Sequence, residues 1–264
     1  TRTAALLTDM NEPLASAAGN ALEVRNAVDF LTGAHRDKRL YEVTLALSAA
    51  ALELTGFKGD AKKACEVALW SGEATSRFSE MVALLGGPHD FVDRMDSYLT
   101  PASIVVDVPS PAAGIVGAID TRGVGMAVVA LGGGRRMPTD TIDHSVGFDR
   151  LLGLGAKVEA GTPLARLHAR DAATAAEATR RLIAAYHLGD GAPAHPLIAG
   201  RIAPPEIPRY PAPSSASSPV LASAARRMLP TTMTGTVTPT PARTRCCTSR
   251  RTTTCMSPIW PPWG

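Results

Sequence analysis

Residues 5–24 read ALLTDMNEPLASAAGNALEV, and this stretch decides the fold class. The four apolar residues that begin at Ala4 predict a short buried strand. The polar turn that follows contains Pro13, which disfavours a helical conformation in the residue before it. A helix is predicted over 20–32, and Gly33 is expected to end it. A strand, a polar loop at its carboxyl end and a helix are typical of α/β proteins, in which ligands bind at such loops.

Residues 20–95 are predicted to form a helical layer over one face of a sheet. After the first helix, apolar side chains recur with helical spacing over 39–55, 61–70 and 73–85, and Asp60 is the predicted N-cap of the second of these three helices. The side chains predicted to face inward are apolar; they are Leu40, Val43, Leu47 and Leu54 in the first of the three and Phe78, Met81, Val82 and Leu85 in the third.

The apolar residues change their period after residue 100. Strand-like and helix-like runs then alternate, with glycines between them. In chain order, the predicted elements are strands over 104–108 and 114–119, a helix over 121–131, an extended segment from Gly147, a strand in which Leu164, Arg166 and His168 alternate, and a helix over 172–188 capped by Asp171. The predicted fold class is therefore α/β, with an incomplete mixed sheet covered by helices and then an α+β module.

The bulk composition indicates a protein with a core of its own, since 45% of the residues are hydrophobic. No apolar run approaches the ~20 residues of a membrane span, and no basic segment precedes an apolar one at the N-terminus. We therefore expect a cytoplasmic protein that binds no membrane. The chain also starts almost directly with a strand and without Met, and we interpret this as truncation.

The net charge of +3 comes entirely from the last part of the chain. Residues 203–264 hold seven Arg and one Glu, whereas residues 1–202 hold 20 basic and 23 acidic residues. Because the part predicted to fold is mildly acidic, we expect no nucleic-acid binding. A single cysteine in that part, Cys65, indicates a reducing compartment.

The segment 203–264 is predicted to be a disordered tail rich in Pro, Ser, Thr and Arg. It holds 12 of the 21 prolines and no periodic apolar pattern. Such a composition does not bury enough apolar surface to offset the entropy of the chain. We interpret the tail, with its Cys246, Cys247 and Cys255, as frame-shifted or read-through sequence.

The wording LLTDMNEPLASAAGNALEVRNAV at 6–28 resembles the thymidine and pyrimidine-nucleoside phosphorylases. The resemblance continues through 127–136 and 140–148 and fades near residue 202. Two further motifs, S-P-x-x-G-I-V from Ser110 and G-x-x-V-x-x-G-x-P-L from Gly155, are similar to the two halves of a barrel-sandwich hybrid. The family carries such a module at its C-terminal end, so the two resemblances agree.

The resemblance implies a nucleoside-cleaving reaction. Members of the family convert thymidine and phosphate to thymine and 2-deoxyribose 1-phosphate as homodimers, so the implied partners are thymidine and phosphate, with phosphate as co-substrate and no cofactor. The family's phosphate loop, K-x-S-T-G-G-x-G-D, and its separate base-holding Arg, Ser and Lys lie upstream of the matching stretch and do not occur in this sequence. We therefore expect a C-terminal fragment that is inactive alone, with no catalytic or substrate-binding residue to name and no assured dimer.

The same resemblance implies three ligands for a monovalent cation. Two are the backbone carbonyls of Leu14 and Ala17, and the third is a Glu side chain that this chain replaces with Asn26. Because hard cations prefer charged oxygen ligands, a neutral amide here argues against tight cation binding.

Three other clusters carry residue types that catalysis uses, but local structure explains each of them. The glycines of Gly132–Arg136 follow a helix and are typical of a C-terminal cap, the reverse of an anion-binding helix N-terminus. The adjacent side chains of Asp143–Ser145 point in different directions, which disfavours a triad. Asp9, Glu12 and Glu23 are expected to serve in turn and cap hydrogen bonds.

The positions of the histidines and lysines bear on two further functions, zinc binding and a carrier role. His168 is predicted to pack or cap on its strand, and no histidine pair has the spacing of a zinc site. A biotinyl or lipoyl carrier, the alternative function, needs a lysine at a hairpin tip. Lys157 is the only lysine after Lys63, and it precedes the G-x-P-L part of the second barrel-sandwich motif instead of lying at a hairpin tip.

Overall fold

The computed structural model describes residues 2–192 and 194–203. The segment 204–264, which holds nearly all of the predicted disordered tail, lies outside the described residues. The secondary structure before residue 100 is one strand and five helices: β1 (Ala5–Thr8), α1 (Asn20–Thr32), α2 (Lys38–Leu54), α3 (Ala61–Trp70), α4 (Glu73–Leu84) and α5 (Met95–Tyr98).

The helix boundaries before residue 100 follow local capping signals. Gly33 ends α1 in the left-handed conformation, with φ of 86°, as its position predicted. Asp60 is the N-cap of α3, and its side chain accepts a hydrogen bond from the backbone N–H of Lys63 at 2.9 Å. The predictions of α1 and α3 are therefore confirmed to the residue.

The described residues after residue 100 form seven strands and two helices: β2 (Ile104–Pro109), β3 (Gly114–Ile119), α6 (Thr121–Leu131), β4 (Gly147–Asp149), β5 (Lys157–Val158), β6 (Pro163–Ala169), α7 (Ala172–Ala185), β7 (Tyr186–Gly189) and β8 (Ile198–Ile202). Asp171 caps α7 through the backbone N–H of Thr174, as expected. The predicted end of this helix is wrong, because α7 stops at Ala185 and Tyr186–Gly189 leave it as a strand that pairs with β3.

Three small sheets account for the strands, and every strand pair among the described residues is antiparallel. One sheet pairs β1 with β8, a second has the order β2-β6-β4, and a third has the order β5-β3-β7. The predicted combination of helices and strands is confirmed, but the predicted mixed sheet is wrong for the described residues, because their strands form three separate antiparallel sheets. Consecutive strands β2 and β3 belong to different sheets, so strands far apart in sequence complete each sheet.

Two predictions about burial before residue 100 are wrong. Strand β1 is only half covered, with Ala5 and Leu7 exposed, since β8 is its only partner among the described residues. The predicted inward faces of α2 and α4 are wrong in part, because Leu47, Met81 and Leu85 lie exposed, whereas the other side chains predicted to face inward are partly buried. The buried residues of α2 are Leu45, Ala49 and Ala50 instead.

The main core lies after residue 100. Its buried side chains come from β2 to β7 and from α6 and α7, and Phe148, Leu131, Leu164, Leu167 and Leu182 are the largest that are fully enclosed. Helix α7 packs on α6 and on β6, so the helices cover the β2-β6-β4 sheet. We call residues 104–189 the C-terminal module and residues 2–98 the helical region.

A short backbone seam joins the helical region to the C-terminal module. Ala18 and Phe148 exchange two backbone hydrogen bonds, each 2.8 Å long, which form an isolated antiparallel bridge. Gly19 and Gly147 touch beside this bridge, and both have positive φ, 139° and 148°. A Cβ on Gly19 would lie 2.6 Å from the carbonyl oxygen of Val146, so the close approach requires glycine.

Candidate functional site

The polar loop after β1 is held by an arginine from α2. Arg39 places Nη1 3.0 Å from both Asp9 Oδ2 and Glu12 Oε1, and its Nη2 donates to the backbone carbonyl of Asp9 at 3.1 Å. Burial raises the pKa of Asp9, but hydrogen bonds from Asn11 and Arg39 outweigh it and leave the pKa below its ordinary value. Both carboxylates therefore already pair with Arg39.

The second oxygen of Glu12 reaches the C-terminal module. Its Oε2 accepts a hydrogen bond from the backbone N–H of Leu154 at 2.7 Å, and it lies so near Gly153 that a Cβ there would be 2.5 Å away. Glu23 caps α1 by accepting from the backbone N–H of Gly19 at 2.9 Å. Asp9, Glu12 and Glu23 thus have structural partners, as the turn and cap interpretation predicted, although Arg39 was not foreseen.

Asp37 organises a second polar cluster beside this loop. Its Oδ2 accepts from the backbone N–H of Ser16 at 3.1 Å, from the Ser16 hydroxyl at 3.1 Å and from Asn26 Nδ2 at 3.0 Å. His35 Nε2 lies 3.1 Å from Asp37 Oδ1. Burial raises the pKa of Asp37, but these hydrogen bonds more than compensate and lower it overall.

Of Leu14, Ala17 and Asn26, the residues implied as cation ligands, Asn26 belongs to this cluster. Asn26 directs its amide nitrogen at the carboxylate of Asp37, and that carboxylate already has four donors. Within residues 2–192 and 194–203, no three His, Cys, Asp or Glu side chains come together in a metal-binding arrangement. The assignment of Leu14, Ala17 and Asn26 to a cation site stays a prediction.

A shallow pocket of about 210 Å³ opens between the polar loop, the start of α2 and the loop at 151–153. Glu12, Asp37, Lys38 and Arg39 supply its charged groups. Arg39 is neutralised by Asp9 and Glu12, while the Lys38 side chain extends into solvent. A phosphate in this pocket would meet two carboxylates, so the charges here do not make a phosphate site.

The glycine–arginine segment caps a helix. Gly132 ends α6 in the left-handed conformation with φ of 97°, and Arg135 and Arg136 are exposed. Asp140 accepts from the backbone N–H groups of Arg136 and Met137 at 2.9 and 3.0 Å, which folds the segment back on itself. The cap interpretation of these glycines is confirmed.

The residues 143–145 form a turn. Asp143 Oδ1 accepts from both the backbone N–H of Ser145, at 3.0 Å, and the Ser145 hydroxyl, at 2.6 Å. His144 is exposed, and its carbonyl accepts from the backbone N–H of Ala21. The side chains do not form a triad, as predicted from their adjacency.

Sequence reasoning also missed a charged cluster on the β2-β6-β4 sheet. Arg166 Nε donates to Asp149 Oδ1 at 2.8 Å, and His168 Nε2 lies 3.3 Å from Asp149 Oδ2 but without hydrogen-bond alignment. Burial raises the pKa of Asp149, but His168 and Arg166 more than offset this and lower it to about 2. The spacing of Arg166 and His168 put them on one face, but only the register of β4 on β6 shows their partner.

The remaining histidines and Cys65 show no constellation for chemistry. His89, His187 and His195 are exposed, and His187 lies on β7. Cys65 is partly buried, and burial raises the pKa of its thiol. Cys246, Cys247 and Cys255 lie outside the described residues. None of the helices in the part that the structure describes is both long and apolar enough to cross a membrane.

Residues 115–189, from β3 to the end of β7, match the family model described as the pyrimidine nucleoside phosphorylase C-terminal domain. The chain is also 49% identical over 204 residues to a thymidine phosphorylase of Burkholderia cenocepacia. Over 76% of its length the chain is similar to a member of the thymidine and pyrimidine-nucleoside phosphorylase family, and the domain match falls on the C-terminal domain of that family. A thymidine phosphorylase of Mesorhizobium japonicum is 50% identical to this chain over 196 residues.

The share of each protein that these matches cover is as informative as the sequence identity. The Burkholderia match covers 76% of this chain but 47% of the relative, and the Mesorhizobium match covers 73% and 45%. The chain therefore spans about half the length of the curated phosphorylases it matches. The resemblance first inferred from residues 6–28 is confirmed.

Proposed function

We propose that this chain is the C-terminal portion of a thymidine phosphorylase and that the 264-residue chain has no phosphorolytic activity by itself. The observation that carries the proposal is a match at 49% identity that covers only 47% of the relative. In the proposed parent reaction, a phosphate oxygen forms a bond to C1′ of the deoxyribose while the bond from C1′ to the thymine nitrogen breaks. The electron pair goes to thymine, which then takes up a proton.

That reaction needs two kinds of contact that this chain does not supply. Phosphate needs a cradle of backbone N–H groups and cations, and the departing thymine needs donors for its developing negative charge. The sequence contains neither the K-x-S-T-G-G-x-G-D loop nor the base-holding residues of the family. The charged groups of the loop after β1 are paired internally through Arg39 and Asp37. The chain's own contribution is therefore a scaffold.

We assign residues 1–100 to a partial α/β domain and residues 101–202 to the C-terminal domain. Two three-stranded antiparallel sheets around one core support a barrel-sandwich-hybrid arrangement for the second. Thymidine and phosphate are the proposed substrates of the intact enzyme, which we place in the cytoplasm as a homodimer. We assign no nucleic-acid or membrane partner.

The carrier function is the weaker alternative. Lys157 begins the two-residue strand β5 and pairs with Ile115, whereas the chain turns at Gly161 between β5 and β6. A carrier lysine must project from such a turn for its attached group to swing between sites. An intact-mass spectrum with a biotinyl or lipoyl adduct on Lys157 would revive this function.

The proposal is tested by thymine release. The purified chain is incubated with thymidine and phosphate, and thymine is quantified by chromatography beside the Burkholderia cenocepacia thymidine phosphorylase. We expect no turnover above an enzyme-free blank for the chain and clear turnover for the relative. Turnover by the chain that depends on phosphate would overturn the proposal.

A further inference from the structure

The carboxylate of Asp37 joins three segments of the helical region. Asp37 directly precedes α2, and its Oδ2 accepts hydrogen bonds from the backbone N–H of Ser16 at 3.1 Å and from Asn26 Nδ2 on α1 at 3.0 Å. The hydroxyl of Ser16 donates to the same oxygen at 3.1 Å. Since the side chain of Asp37 is only 16% exposed, these contacts lie largely out of water. They hold the loop after β1 and the middle of α1 at the start of α2.

This carboxylate already has as many polar partners as it has sites for them. Its two oxygens offer about four lone-pair sites. Oδ2 accepts from the three donors of Ser16 and Asn26, and Oδ1 lies 3.1 Å from His35 Nε2. A cation that bound Asp37 would therefore have to displace one of these partners.

The charge of Asp37 also decides which way the amide of Asn26 points. An amide oxygen turned toward the carboxylate would place two acceptors against each other, whereas the amide NH2 group donates to it. The side chain of Asn26 is thus committed to Asp37.

The residues present in this chain do not fit the cation that the family resemblance implies. In the implied ligand set, a carboxylate at position 26 accompanies the backbone carbonyls of Leu14 and Ala17. Asn26 leaves that set without an anion, although hard cations prefer charged oxygen ligands. The only carboxylate that Asn26 contacts is that of Asp37, and donors surround it.

We propose that Asn26 and Asp37 together replace the implied monovalent cation in this chain. The carboxylate is at position 37 instead of position 26, and the donors of Ser16 and Asn26 stabilise it where a metal ion would otherwise do so. The hydrogen bonds tie the loop at 14–17 to α1, as a shared cation would, and they include the start of α2 as well. The stability of the chain then needs no potassium but needs one carboxylate and one amide that face each other.

Substitutions that keep the size of both side chains test this pair. Asn26→Asp places a second carboxylate against Asp37 in place of a donor, so the Tm should fall by at least about 4 °C. Asp37→Asn removes the acceptor that the three donors share and should also lower the Tm. The double variant, Asn26→Asp with Asp37→Asn, again pairs one carboxylate with one amide. It should therefore unfold at a higher temperature than either single variant, which a purely steric role of the two side chains does not predict.

The measurement is thermal unfolding of the full chain, followed by circular dichroism, in potassium chloride and in choline chloride at equal pH and ionic strength. Because a ligand that binds only the folded state raises the Tm, the chain should have the same Tm in both salts. Asp60→Asn is the matched control, since Asp60 also precedes a helix but its side chain accepts from one backbone N–H, that of Lys63. Asn and Asp are similar N-caps, so this variant should shift the Tm by less than about 2 °C.

Each outcome decides. A higher Tm in potassium chloride than in choline chloride for the unsubstituted chain would show that it still binds the cation and would overturn the inference. So would an Asn26→Asp variant as stable as the unsubstituted chain, or a double variant no more stable than the single ones. Equal Tm values in the two salts, together with recovery in the double variant, support it. No turnover is measured, so the result is independent of the proposed function.

Discussion

The helical region and the C-terminal module differ in where they place their apolar side chains. Every member of the main buried cluster lies between Val108 and Tyr186. The helical region has buried residues too, among them Val28, Phe30 and Leu45, but it leaves Trp70 and Leu84 in solvent. One region therefore closes its own core, and the other leaves large apolar side chains in contact with solvent. Sequence periodicity alone does not distinguish the two, since both contain amphipathic helices.

The largest expected effect compares two phenylalanines. Phe148 is fully buried in the module, whereas the exposed fraction of Phe57 is 43%. Phe148→Ala should lower the free energy of unfolding by about 3–5 kcal/mol, because it leaves a cavity. Phe57→Ala should change it by less than ~0.5 kcal/mol. Urea unfolding followed by circular dichroism measures both, and equal losses would show that the two regions are packed alike.

The next largest effect on stability is expected at the backbone seam between the two regions. Gly147→Ala places a side chain at φ of 148° against the backbone of Ala18, so the loss should be at least about 1–3 kcal/mol from backbone strain alone. Gly125→Ala is the control, since it lies inside α6 with no atom near the added Cβ, and it should stabilise by roughly 0.5–1 kcal/mol. Thermal unfolding should therefore shift in opposite directions; a shift of the same sign in both contradicts the close approach.

Ion pairs in the two regions should respond differently to pH. The folded pKa of Asp149 is about 2, below the ordinary value of 3.8, so its contribution is present above pH ~4 and is lost as the pH falls toward 2. Asp149→Asn should cost on the order of 1–2 kcal/mol at pH 7 and about half of that at pH 3. Asp96 pairs with Arg25 on the surface of the helical region, so Asp96→Asn should cause no measurable loss of free energy of unfolding. Urea titrations at both pH values test this, and a pH-independent cost would exclude the charged pair as its source.

The smallest effect concerns the exposed methionines. Met81→Glu and Met126→Glu should each change the free energy of unfolding of the isolated chain by less than ~0.5 kcal/mol, because both side chains already contact water. A clear loss for Met81→Glu in chemical denaturation would mean that Met81 packs against other side chains of this chain instead of contacting water.

Elements with local signals were predictable from the sequence. Gly33, Asp60 and Asp171 each mark a helix end through a hydrogen bond within a few residues, and the structure places those ends as predicted. Burial was not predictable in the helical region. An apolar period of 3.6 residues predicts which face of α4 is apolar. It does not predict whether that face packs against a core, and Met81 and Leu85 are exposed to solvent.

The polar contacts of the candidate site depend on long-range pairing. Arg39 contacts Asp9 and Glu12 from about 30 residues away, and Glu12 reaches Leu154 across 142 positions. The end of α7 was missed for a similar reason, because Tyr186 leaves the helix to pair with Ile119 on β3. Since no local sequence pattern encodes contacts between residues so far apart in the chain, the sequence showed the polar residues but not their partners.

The position of β2 has a practical consequence for the limits of the module. The family match begins at residue 115, after β2 has ended, yet β2 pairs with β6 from Ile104 to Pro109. A polypeptide trimmed to residues 115–189 would lack β2, the outer strand that pairs with β6, and would expose the side chains that β2 covers. Such a trimmed polypeptide should precipitate or form fibrils, whereas one that starts before Ile104 should stay in solution.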